Sequence, residues 1–123
     1  MTCKLTTIPN PAYLHVIVTG ENTVENILQY FEEIHRECTA RNCFRILIEE
    51  RLDGPRLPIM KVFDIVQNES AKSRGFFKAI AYVDVNAEDD SMKFAENVGV
   101  NRSLPLFVFS TVEDAEKWIN ASQ

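Results

Sequence analysis

The spacing of apolar residues along this chain switches repeatedly between two residues and about 3.6, and no internal repeat or low-complexity linker interrupts it. A period of two puts side chains on the two faces of a strand, and a period near 3.6 lines them along one side of a helix. Strands interleaved with helices in one α/β layer structure follow from that switching.

The order reads ββαβαβαβα. Lys4 to Ile8 is a first strand, ended by Pro9-Asn10-Pro11, because prolines supply no ladder donor and bias the residue before them away from helix. Tyr13 to Thr19 is the second strand, paired antiparallel with the first, and Gly20-Glu21-Asn22 turns the chain. Thr23 caps a helix in which Val24, Ile27, Leu28, Phe31, Ile34 and Cys38 recur at helical spacing. It runs to about Arg41, with Asn42 as a left-handed terminal residue. Cys43 to Ile48 is a strand whose consecutive apolar residues suit a sheet covered on both faces. Arg51 to Leu57 reads as a loop turning at Asp53-Gly54-Pro55, and Pro58 opens a second helix that ends near Gly75.

Phe77 to Val85 is the next strand, and Asn86 caps a third helix with Glu88, Asp89 and Asp90 in its first turn and Gly99 at its end. Leu104 to Phe109 is the last strand, and Pro105 within it points to an edge position or to its first residues. Ser110 or Thr111 caps the final helix, which buries Val112, Ala115, Trp118 and Ile119. Right-handed crossovers make this a mixed, mainly parallel sheet of four to five strands with flanking helices.

Composition bounds the rest. The chain has 123 residues, 46% of them hydrophobic, enough for a single domain with one core that needs neither disulfide nor metal. Its apolar runs fall far short of the roughly 20 residues of a membrane span. Acids outnumber bases 18 to 13, which argues against a nucleic-acid partner. The charge is uneven: residues 41–78 carry eight bases against five acids, a balance of +3, leaving −8 on the remainder. Three cysteines, Cys3, Cys38 and Cys43, form no disulfide framework, and no apolar signal segment follows Met1, so the cytoplasm is the expected location.

The last strand running directly into Phe109-Ser110-Thr111-Val112-Glu113-Asp114-Ala115-Glu116-Lys117-Trp118-Ile119 resembles the STAS/SpoIIAA-like family, in the branch with a final F-x-x-x-x-x-A-x-x-W-[LI] helix. Gly20-x-x-Thr23, Ile46-Leu47-Ile48-Glu49 and Ile80-Ala81-Tyr82-Val83-Asp84 agree with it. The resemblance spans nearly the whole chain and rests on core and cap positions, so it implies a SpoIIAA-like fold and carries no chemistry. The family's best-known members are anti-sigma-factor antagonists phosphorylated on a Ser at the start of the second helix. The corresponding stretch here, residues 49–58, has no Ser or Thr, so that phospho-switch lacks its acceptor. Other proteins of the wider fold bind apolar or nucleotide ligands.

Ligands of open α/β sheets sit beyond the carboxyl ends of the parallel strands, here Glu49, Glu50, Arg51, Asp84, Asn86, Ser110 and Thr111. Arg51 and Arg56, beside the N-terminus of the Pro58 helix, are the candidate site for a small anion, weighed against pairing with Glu49, Glu50 and Asp53. Glu49, Glu50 and Asp84 could hold a divalent cation, but the first βα turn lacks an acidic pair and the last strand ends without lysine. His35, Cys38 and Cys43 lack a fourth metal ligand and read as packing. No G-x-S-x-G, Walker A or G-x-G-x-x-G pattern is present, so no catalytic residue or cofactor is assigned. The expectation is a non-enzymatic binding or regulatory module acting through a protein partner, a homodimer at the last strand or the Phe63 helix, or a small apolar or anionic ligand. The alternative is a small enzyme using the Glu49, Asp84 and Arg51 region.

Overall fold

A computed structural model describes residues 3–84 and 90–121. Among the described residues five strands and four helices alternate: β1 (Lys4–Ile8), β2 (Leu14–Glu21), α1 (Val24–Arg41), β3 (Arg45–Asp53), α2 (Ile59–Lys72), β4 (Ala79–Val83), α3 (Asp90–Asn101), β5 (Leu106–Phe109) and α4 (Val112–Ala121). The strands form one sheet in the order β1-β2-β3-β4-β5, with β1 antiparallel to β2 and every other pairing parallel. This is the mixed, mainly parallel α/β architecture that the periodicity dictates.

Each parallel crossover steps the same way across the sheet, so right-handed connections lay α1, α2 and α3 on one face. There Val16, Ile46, Ile48 and Ile80 pack against Ile34, Ile65 and Val98. The final helix has no further strand to reach, and it folds onto the opposite face. Ala115 and Ile119 of α4 cover Leu47, Ala79 and Ala81. With β3 and β4 buried on both faces, their unbroken apolar runs are explained.

Local chemistry sets the boundaries. Thr23 is extended at φ −129° and its hydroxyl accepts the Asn26 N–H at 3.1 Å, which satisfies one free donor of α1. Asn42 takes the left-handed conformation at φ 50°, and its N–H turns back to the Cys38 and Thr39 carbonyls. Gly54 sits at φ +110°, a conformation costly for any residue with a Cβ, and turns the chain out of β3.

Several expected boundaries shift. β2 continues to Glu21 and β3 to Asp53, so Gly20 and Glu21, read as turn, and Arg51, Leu52 and Asp53, read as loop, are strand: Thr19, Gly20 and Glu21 pair with Arg51, Leu52 and Asp53. Ladder hydrogen bonds from a neighbouring strand overrode a polar local sequence there. The third helix runs two residues past Gly99, and the last strand starts at Leu106, after Pro105. The Asn86 cap and the acidic residues Glu88 and Asp89 lie outside the described residues.

Candidate functional site

The lengthened β3 decides where the strand-end carboxylates point. Successive side chains alternate faces, so Ile46 and Ile48 turn to the three-helix side while Leu47 turns to α4. Continuing the alternation sends Glu50 to the three-helix side and Glu49 and Arg51 to the other. Glu50 lines a cavity of about 80 Å³ at the carboxyl ends of β3 and β4. Its walls are apolar: Ile27 and Phe31 from α1, Val62 and Val66 from α2, and Met92 and Ala95 from α3.

Polar groups gather at one end. The Tyr82 hydroxyl donates to Glu50 Oε2, and its oxygen lies 3.0 Å from the Tyr30 hydroxyl. With Glu50 ionised, Tyr82 gives its one proton to Glu50, and the proton between the two tyrosines then comes from Tyr30. At the mouth Arg56 Nη1 stands 3.7 Å from Asp84 Oδ1, and Asn22 Nδ2 donates to the Pro55 carbonyl at 3.1 Å.

The surroundings perturb these groups strongly. Burial pushes the Glu50 carboxyl up to about 7; the Tyr82 hydrogen bond and Arg56 oppose that rise and the Asp84 charge adds to it. Burial, with the Glu50 charge adding, raises both tyrosines well above their ordinary range. A carboxyl pushed toward neutrality by burial inside a cavity makes this the candidate functional site.

The sequence-based candidates separate. Arg56 lines the cavity, but Arg51 is on the opposite face, donating to Glu49 Oε1 at 3.0 Å. The two arginines therefore do not converge on one anion, and the helix N-terminus that follows them has no side-chain cap. Glu49 is buried and bound on its other oxygen by His15 Nε2 at 2.9 Å. The trio Glu49, Asp84 and Arg51 is thus divided by the sheet, and Glu50 stands in the place expected of Glu49. Tyr30 escaped the sequence reading, although it lies three residues after Ile27 and four before Ile34 on the buried stripe.

Other polar clusters hold the fold. His35 Nε2 lies 2.8 Å from Ser73 Oγ, which bonds Glu69 Oε2 at 3.4 Å. This resembles a Ser-His-acid set, yet Ser73 is 1% exposed, and Glu69 approaches the same ring nitrogen that meets the serine. A triad needs the acid on the other nitrogen, so the cluster ties α1 to α2. His35 also stacks on Phe76 at 4.3 Å between ring centroids. Burial raises the Cys38 thiol to about 12, which leaves it unreactive. No metal-binding group of three or more His, Cys, Asp or Glu occurs among the described residues.

A wider cleft of about 410 Å³ lies at the amino ends of the strands, with Arg41, Arg45 and Lys78 in its wall. Its larger size does not make it the better site. Arg41 is engaged by Glu37 at 2.9 Å and Arg45 by the Ala12 carbonyl at 3.0 Å, and the C-terminus of α1, whose dipole disfavours anions, opens onto it.

The expected protein-docking faces are partly occupied. Phe63 packs on Phe94, with the Arg102 guanidinium 5.4 Å from its ring centroid. On edge strand β5 the Val108 N–H is taken by Glu96 Oε2 at 2.7 Å, and Trp118 covers Phe107 and Phe109. No helix among the described residues is long and apolar enough to cross a membrane.

Fold and site together define an α/β domain with an apolar cavity at the carboxyl end of its parallel strands. No protein-family model matches the sequence, and no curated protein matches it.

Proposed function

We propose that this chain is a non-enzymatic binding module of the STAS/SpoIIAA-like kind, without a phosphoacceptor, that holds a small, mainly apolar ligand in the cavity between its sheet and α1, α2 and α3. One observation carries the reading: apolar walls from three helices close around a single polar end, the arrangement of a small-molecule site. The absence of Ser and Thr from residues 49–58 supports a ligand-holding rather than a phosphorylated module. Free Cys3, Cys38 and Cys43 support a reducing compartment, the cytoplasm.

The test is an NMR titration of backbone amides with four-carbon probes, butan-1-ol and butanone. Shifts centred on Ile27, Ala95 and Leu106, abolished in Ala95→Leu, support the reading. Saturating amounts of both probes leaving those amides unmoved would overturn it.

A second reading, a small enzyme at the same strand ends, draws on the Glu50 carboxyl, which can both take and give a proton near neutral pH. The two readings part on the fate of a bound compound: a binding module returns it chemically unchanged after long incubation.

A further inference from the structure

We infer that the end of this cavity formed by Tyr30, Tyr82 and Glu50 accepts hydrogen bonds and does not donate them, so that its ligand is a small apolar molecule with a neutral hydroxyl head. The inference rests on the cavity being a ligand site and specifies the chemistry of that ligand.

It follows from counting protons along the buried chain. With Glu50 ionised, Tyr82 gives its only proton to Glu50, and Tyr30 gives its only proton to Tyr82. Neither hydroxyl has a proton left for a guest. Unused lone pairs remain on the Tyr30 oxygen and on the second Glu50 oxygen, and both residues line the cavity. The direction of the chain is fixed from its charged end, because a carboxylate can only accept.

Charge sharpens the assignment. Asp84 adds a second carboxylate to the lining, so an anionic guest would meet two like charges against one guanidinium. Arg56, the nearest cation, stands 3.7 Å from Asp84 and faces that carboxylate. Removing an ammonium from water is far more costly than removing a hydroxyl, and Arg56 already offsets one of the two acids, which favours an alcohol over an amine. Size agrees. About 80 Å³ is well below the roughly 150 Å³ of a dry cavity that admits benzene, so the guest is small.

Protonating Glu50 removes the anchor that fixes the direction. Facing Glu50 are Tyr82 from β4, Asp84 just beyond it, Arg56 from the loop and Tyr30 from α1, while the Glu69 charge of α2 reaches Tyr30. The α3 wall there is Met92 and Ala95. Once Glu50 carries a proton, the chain can run the other way and present the Tyr30 proton to the cavity.

The experiment compares butan-1-ol, butanone and butyrate by amide NMR titration at pH 9 and pH 5, on the wild type and on Glu50→Gln. At pH 9 butan-1-ol is expected to bind about five- to tenfold more tightly than either other probe, the contribution of one buried hydrogen bond. In Glu50→Gln, and in the wild type at pH 5, the alcohol-to-ketone ratio should fall toward one while occupancy persists. Butanone or butyrate matching butan-1-ol at pH 9 overturns the acceptor assignment and leaves the cavity reading intact. No probe entering the cavity overturns both.

Discussion

Tyr30 and Tyr82 lie 52 positions apart in the chain and meet with their hydroxyl oxygens 3.0 Å apart in the core, one from a helix and the other from a central strand. The contact makes Tyr82 both an acceptor from Tyr30 and the donor to Glu50. Two tyrosines and a carboxyl therefore act as one polar unit inside a mainly apolar wall, and their contributions are coupled.

Removing the middle of that unit should hurt most. Tyr82→Phe leaves the Glu50 carboxylate without its donor and should cost about 1.5–3 kcal/mol at pH 8, whereas Tyr30→Phe removes a neutral bond and should cost about 1 kcal/mol. In the Tyr82→Phe background the second substitution should add little, because its partner is already gone. Urea denaturation of the four proteins measures this. Equal single costs that simply add would mean the three groups are independent.

The Glu50 carboxyl should leave a mark on stability against pH. Its folded value of about 7 stands above the ordinary 4.5 that the unfolded chain retains. Between these limits the unfolded state has released a proton that the folded state still holds, so stability falls as pH rises from 4.5 to 7 and then levels. The gap corresponds to at most roughly 3 kcal/mol, and partial exposure of the side chain brings the expectation to about 1–2 kcal/mol. Burial also raises Glu69, which slopes in the same direction. Glu50→Gln removes only the Glu50 share, so the wild-type curve should drop relative to the variant across that interval. Parallel curves would refute the assignment.

Most of the architecture was legible because burial and period are local properties. Val16 and Val18, or Ile46 and Ile48, announce a strand face by themselves, and Thr23 and Asn42 mark both ends of α1 by side-chain chemistry alone. The strand ends were not legible. Arg51, Leu52 and Asp53 look like loop until the partners Thr19, Gly20 and Glu21 are brought alongside. That error carried into the site, since continuing the alternation of Ile46 and Ile48 to residue 50 would have singled out Glu50 rather than Glu49. The pairing of Tyr30 with Tyr82 lies beyond any periodicity, because only the packing of α1 on the sheet sets their distance.

The cap of α1 positions Tyr30 in the cavity and can be tested without touching the cavity. Thr23→Ala removes the acceptor for the Asn26 N–H and should lower stability by about 1 kcal/mol. Thr23→Ser should recover most of that loss. If alanine and serine are indistinguishable by thermal denaturation, the hydroxyl is not the cap.

Glu96 bears on whether the molecule stays single. An edge strand offers unpaired N–H groups to any passing strand, and β5 is the edge on the parallel side of this sheet. The Glu96 carboxylate reaches from α3 and occupies the Val108 N–H at 2.7 Å, placing a negative charge where another strand would dock. Glu96→Ala removes both the bond and the charge, while Glu96→Gln keeps an acceptor and removes the charge. The alanine variant should lose about 1–2 kcal/mol of stability through the charged hydrogen bond and should self-associate measurably more by light scattering at high protein concentration. The glutamine variant should keep most of the stability and associate to an intermediate degree. A monomeric alanine variant with unchanged stability would mean that the edge is protected by the packing of Trp118 on Phe107 and Phe109, without help from the carboxylate.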